Sequence, residues 1–129
     1  MPRYNDQFFS PPAPVANVTL RDPINLATLS DVLMLIDPGA DVTVVPQPVV
    51  DFFGASVNYD EGVELEGFGG QLAISPVARL DLIFQRKTFK GRFPVAINQD
   101  GQNIGIIGRD VLNHIVLVLD GPRLEWDVR

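Results

Sequence analysis

The chain offers few groups able to do covalent or acid–base chemistry. It has one histidine, His114, and no cysteine. A serine nucleophile needs a base held against its hydroxyl. His114 follows Asn113 at an expected helix-to-strand junction, where capping or surface exposure accounts for it. None of Ser10, Ser30, Ser56 and Ser75 sits in a Gly-x-Ser-x-Gly elbow. The glycine-rich stretch Gly67-Phe68-Gly69-Gly70 lacks the lysine and helix of a phosphate loop, and Gly105-Ile106-Ile107-Gly108 lacks the first glycine of a dinucleotide fingerprint. Carboxylates remain. Asp60, Glu61, Glu64 and Glu66 lie close in sequence, but Glu64 and Glu66 alternate with Val63 and Leu65, which reads as the wet face of a strand and not as a metal site. Asp37 differs, because it ends the apolar run Val32 to Ile36, where a carboxylate is partly desolvated. The plain reading of Asp37-Pro38-Gly39 is a turn opened by aspartate; the chemical reading is a carboxylate working as an acid or a base.

The elements that must position Asp37 follow a period of two, the mark of strands. Ala16, Val18 and Leu20 alternate with Asn17 and Thr19. Val32 to Ile36 is continuously apolar, as a strand buried on both faces would be. Val42 to Val45 reads as a further short strand. Pro48 to Phe53 reads as one or two helical turns stopped by Gly54. Val63 and Leu65 alternate with Glu64 and Glu66, Leu72 and Ile74 alternate on the far side of the glycine-rich tip, and the two runs read as a hairpin. Leu80, Leu82 and Phe84 form the next strand, and Phe89, Phe93, Val95 and Ile97 another, closed by the turn Asn98-Gln99-Asp100-Gly101. Ile104 to Ile107 leads into a short helix over Gly108 to Asn113. Ile115 to Leu119 and the alternating Leu124, Trp126 and Val128 complete the chain. About ten short strands with no strand–helix–strand rhythm predict an all-β barrel or sandwich.

Composition narrows the partners. With 129 residues the chain is of one-domain size, and 46% hydrophobic against 20% charged residues is the balance of a folded protein. The lack of cysteine excludes disulfides, thiolate metal sites and iron–sulfur clusters. The net charge of −6 argues against nucleic acid and anionic membranes, which need clustered positive charge. The tight basic group Arg86-Lys87, with Lys90 and Arg92 nearby, reads as a basic strand edge. Residues 1–14, rich in proline, predict an extended N-terminal arm ahead of a domain over 15–129. No apolar run approaches the ~20 residues of a membrane helix. No secretory pattern is visible, so a cytoplasmic location is expected.

Three segments together carry a resemblance. Leu35-Ile36-Asp37-Pro38-Gly39-Ala40-Asp41-Val42 resembles the active-site segment of the retroviral-type aspartic proteases, the retropepsins, whose pattern is two apolar residues and then Asp-Thr/Ser-Gly-Ala-Asp. About 28 residues on, Glu66-Gly67-Phe68-Gly69-Gly70-Gln71 resembles the family's glycine-rich flap. Ile106-Ile107-Gly108-Arg109-Asp110-Val111-Leu112 resembles its second signature, a Gly-Arg-Asp/Asn leading into a short helix. The order and rough spacing match, the likeness spans residues 15–128, and it is strongest to small prokaryotic members.

The resemblance implies a retropepsin-like closed barrel with a flap hairpin and one short C-terminal helix. It implies an aspartic endopeptidase needing no cofactor and no metal. Two carboxylates must hold one water, and this chain has one Asp-x-Gly-Ala-Asp, with Gly108 where a second catalytic aspartate would stand. The resemblance therefore implies a homodimer with Asp37 from each copy at the two-fold axis. Asp37, Pro38 and Gly39 would form the catalytic loop. Ala40, Asp41, Gly67, Phe68, Gly69 and Gly70 would contact an extended polypeptide substrate, and Gly108, Arg109 and Asp110 would support the loop, with Arg109 paired to Asp41. Pro38 stands where the family has Thr or Ser. That departure defines an alternative, a catalytically impaired dimer serving as a peptide-binding or assembly module. A purely structural β-domain is the third reading.

Overall fold

The computed structural model describes residues 1–54, 57–66, 72–96 and 104–129, with backbone alone for 57–66 and 72–75. The elements are β1 (Tyr4–Asn5), β2 (Ala13–Arg21), β3 (Thr28–Ile36), α1 (Pro48–Phe53), β4 (Val57–Glu66), β5 (Leu72–Phe84), β6 (Lys87–Pro94), β7 (Gly105–Ile107), α2 (Arg109–Leu112), β8 (Leu117–Asp120) and β9 (Glu125–Val128). The all-β expectation holds, and both short helices fall where proline, glycine and the Gly-Arg-Asp segment place them.

The main sheet runs β4-β5-β2-β3-β7, with β1 on β2 and β6 on β5. Its pairs are antiparallel except β3 with β7, which run parallel with Met34 opposite Gly105 and Ile36 opposite Ile107. The segment expected as a strand over Val42 to Val45 is only a pair of bridges, because Pro46 and Pro48 deny it length. Those bridges still matter. Val44 exchanges two 2.8 Å hydrogen bonds with Ile106, and Val45 donates to Pro94 at 2.9 Å while accepting from Ala96 at 2.8 Å. They link β7 to the end of β6, and so complete a circuit of backbone hydrogen bonds through β5, β2 and β3.

The core lies inside this circuit. Leu20, Met34, Val45, Leu82, Phe84, Val95 and Ile107 are fully buried. Each such side chain removed from water contributes on the order of 1.5–3 kcal/mol. Burial corrects one expectation. Val32, Met34 and Ile36 are buried, while Leu33 and Leu35 are only half-buried, so β3 has one core face. The other face lies towards solvent, as antiparallel pairing with β2 allows.

The N-terminal residues are tied down rather than free. Tyr4 pairs with Pro14. Tyr4 also donates to the Leu124 carbonyl at 2.8 Å, and Trp126 donates to the Pro2 carbonyl at 3.0 Å. The arm is thus bridged to β9, with Arg3 opposite Glu125. Trp126 stacks on Phe84, with ring centroids 5.8 Å apart, and joins the β8–β9 hairpin to the core.

Candidate active site

Asp37 sits one residue beyond β3, where the parallel β3–β7 ladder ends. Its N–H donates to the Ile107 carbonyl at 3.0 Å, which extends the ladder by one bond. The side chain is half-buried, and Pro38 and Gly39 beside it are exposed. One carboxylate oxygen, Oδ1, accepts from the Gly39 N–H at 2.9 Å. The Ala40 N–H donates to the Asp37 carbonyl at 3.1 Å and closes the turn. A Cβ on residue 39 would stand 3.0 Å from that same oxygen, so glycine is what lets the backbone amide reach the carboxylate.

The second signature braces this loop. The Arg109 N–H donates to the Ala40 carbonyl at 2.9 Å. One guanidinium nitrogen donates to the Pro38 carbonyl at 2.7 Å, and the other forms a close ion pair with the Asp41 carboxylate. Arg109 therefore holds both ends of the segment 38–41, and the expected pairing is present. The pair lies at the surface. Side-chain exposure is 43% for Arg109 and 84% for Asp41, so the pair stands in water and contributes only about 0.2–1 kcal/mol.

Gly108 and Asp110 act through a residue that sequence reasoning passed over. Thr43 is fully buried. Its hydroxyl donates to Asp110 Oδ1 at 2.6 Å and accepts from the Gly108 N–H at 3.0 Å, while its own N–H donates to Asp110 Oδ2 at 3.1 Å. The signal was a lone polar residue between Val42 and Val44. Gly108 packs so closely that a Cβ there would meet the Val42 backbone at 2.5–2.9 Å. Asp37, Pro38, Gly39, Ala40, Asp41, Gly108, Arg109 and Asp110 thus form one connected unit at the end of the β3–β7 ladder. The β4–β5 pairing, with Leu65 opposite Ala73 and Glu66 opposite Leu72, agrees with the expected hairpin. Its tip residues Gly67, Phe68, Gly69 and Gly70, and the turn at 98–101, lie outside the described residues.

Comparison with known proteins settles the fold. Among solved structures the chain matches EIAV protease complexed with the inhibitor HBY-793, with a TM-score of 0.57 and 18% sequence identity, over 85% of this chain and 91% of that one. The fold is retropepsin-like. No family model matches the chain, and no curated protein matches it.

What this arrangement offers chemically is a single half-exposed carboxylate, oriented by the Gly39 backbone amide on a loop that Arg109 braces. Among the described residues, no group of three or more acidic or histidine side chains converges to hold a metal ion.

Proposed function

We propose that the protein is an aspartic endopeptidase that acts as a homodimer, in which Asp37 from each copy holds one water. The observation that carries this reading is the setting of Asp37. It is presented at the end of the β3–β7 ladder of a retropepsin-like fold and braced by Arg109, with no second Asp-x-Gly-Ala-Asp in the chain. Two close carboxylates share one proton because both cannot ionise cheaply. The ionised one takes a proton from water as its oxygen attacks the peptide carbonyl. The protonated one gives its proton to the carbonyl oxygen. The tetrahedral intermediate then breaks its C–N bond as the amine nitrogen receives a proton. Phe68 and its flanking glycines would cover an extended polypeptide substrate, with Ala40 and Asp41 beside its backbone.

The test is cleavage of an unfolded protein at acid pH, with and without a statine-type inhibitor, beside the Asp37→Asn variant. The wild type should cut and the inhibitor should block it. Asp37→Asn should lose turnover with an unchanged circular-dichroism spectrum and melting temperature. Turnover that survives the change would remove the aspartic mechanism.

Pro38 favours a second reading, an impaired dimer that binds peptide without cutting it. Proline brings neither the hydroxyl nor the N–H of the family's Thr or Ser. Retention of the inhibitor by a dimer that hydrolyses nothing would select this reading.

A further inference from the structure

We propose that the outer edge of β6, from Thr88 to Lys90, takes an added strand from a partner polypeptide, an extended segment in which acidic residues alternate with apolar ones. The site is separate from the Asp37 loop and does not depend on the peptidase reading.

The backbone defines the edge. Among the strands, β6 pairs with β5 alone, from Phe84 opposite Lys87 to Val77 opposite Pro94. Gln85 and Arg86, at φ 49° and 68°, make the two-residue turn between them. In a hairpin of this type the residues flanking the turn form a hydrogen-bonded pair, and bonded and non-bonded pairs alternate from there. Phe89 and Gly91 therefore bond to β5, while Thr88 and Lys90 turn their N–H and C=O groups to the opposite edge. The same parity is used further along. The Pro94 carbonyl accepts from the Val45 N–H at 2.9 Å, and the Ala96 N–H donates to the Val45 carbonyl at 2.8 Å. Val45 thus covers this edge at residues 94–96, and no strand among the described residues continues the cover along Thr88 to Lys90.

The uncovered edge faces a slot. Residues Thr88 to Phe93 form one wall of an open depression of about 430 Å³, and Asp110, Val111 and His114, on α2 and the turn after it, form the other. The His114 and Phe89 rings approach across it, with centroids 6.4 Å apart. A strand laid along this edge exchanges main-chain hydrogen bonds with Thr88 and Lys90. That mode of recognition needs the regular N–H and C=O spacing of a polypeptide, which neither a nucleic acid nor a lipid offers.

Side chains set the sequence of the guest. Successive residues of a strand point to opposite faces. On one face the guest meets Phe89, which lies opposite the buried Leu82, and His114; apolar residues suit it. On the other face it meets Lys90. There Arg21 satisfies Asp81, donating to its Oδ2 at 3.1 and 2.9 Å. The Lys90 ammonium, 76% exposed, keeps only a long 3.9 Å contact with that carboxylate. β6 itself carries no acid, in a chain of net charge −6, so an acidic guest is attracted here where the molecule as a whole repels it. A second copy of this edge would set Lys87 and Lys90 against the same lysines, and lysine on an open edge guards against self-pairing.

The probe is a fluorescein-labelled peptide of repeating Glu-Val, titrated by anisotropy with the full chain carrying Asp37→Asn, so that failure of the peptidase reading leaves the result intact. The peptide should bind, more weakly as salt rises, and a peptide of repeating Lys-Val should not. Lys90→Pro removes an outward N–H without taking a bond from the β5–β6 ladder. It should weaken binding by about tenfold or more with an unchanged circular-dichroism spectrum. Lys90→Gln keeps the N–H and loses only the charge, so it should weaken binding by no more than about fivefold. N-methylated peptides make the same test on a protein with Lys90 intact. Methylating one alternate set of amides should abolish binding and methylating the other set should preserve it, because only one set faces β6. The proposal is overturned by absence of binding, by equal effects of the two methylations, or by affinity unchanged in a folded Lys90→Pro, the result that binding in the Asp37 cleft would give.

Discussion

At the scale of single residues, the loop around Asp37 is held by short-range groups with separable roles. Thr43 satisfies the Gly108 amide and both Asp110 oxygens from a fully buried position. Replacing it with Val keeps the shape, removes the hydroxyl and leaves two partners short of a bond, which costs on the order of 1–3 kcal/mol. Thermal or urea unfolding of Thr43→Val should show that loss, and an unchanged midpoint would mean that the hydroxyl is dispensable. Gly108 poses a steric question instead. A Cβ at 2.5 Å from the Val42 backbone has no flexible side chain to push aside. Gly108→Ala should therefore cost at least ~1–3 kcal/mol, the usual range for overpacking, and should displace Thr43. By contrast, disrupting the Arg109–Asp41 ion pair should barely move stability, because both partners stand in water. The sequence made Asp37, Arg109 and Asp41 legible through their fixed spacing. Thr43 and Asp81 stayed hidden, since each is made important by a partner more than 55 residues away that periodicity does not reveal.

At the scale of elements, strands read well wherever one face alternates, as in β2, β5 and β9. They read poorly where proline or pairing sets the limits. Val42 to Val45 has strand composition but forms only a pair of bridges, and the proline-rich arm is bridged to β9 through Arg3. That pairing leaves the hairpin asymmetric: β9 lies between β8 and the arm, while the other edge of β8 has no partner among the described residues. Leu119 on β8 and Val116 just before it are exposed, and an open edge with apolar side chains is a surface on which a second copy can pair. The proposed dimer needs such a seam. Leu119→Lys should place a charge along it and raise the dimer dissociation constant about tenfold, as an unpaired charge at an interface does. Sedimentation over a dilution series measures this, and a dimer insensitive to the change would move the seam elsewhere.

At the scale of the whole molecule, one copy presents one Asp37, so under the proposed function activity and association are a single question. Pro38 sits where they meet. In the retropepsins the Thr or Ser after the aspartate exchanges hydrogen bonds with the opposing subunit, and its side chain and N–H are what Pro38 lacks. Within the chain the substitution is well accommodated: the Pro38 carbonyl still accepts from Arg109 at 2.7 Å, and the Gly39 and Ala40 amides still close the turn on Asp37. In the proposed dimer the deficit therefore falls between copies. Each missing bond is worth roughly 0.5–1.5 kcal/mol, and symmetry doubles it. Pro38→Thr should leave the monomer fold unchanged, tighten the dimer by about tenfold or more and raise peptide cleavage at acid pH. Part of that rise should persist above the dissociation constant, where the dimer is saturated, because the two carboxylates are then better aligned. Cleavage measured across protein concentration separates the two contributions. If Pro38→Thr changes neither association nor cleavage, contacts elsewhere in the dimer compensate the proline, and the weak-dimer account of this position fails.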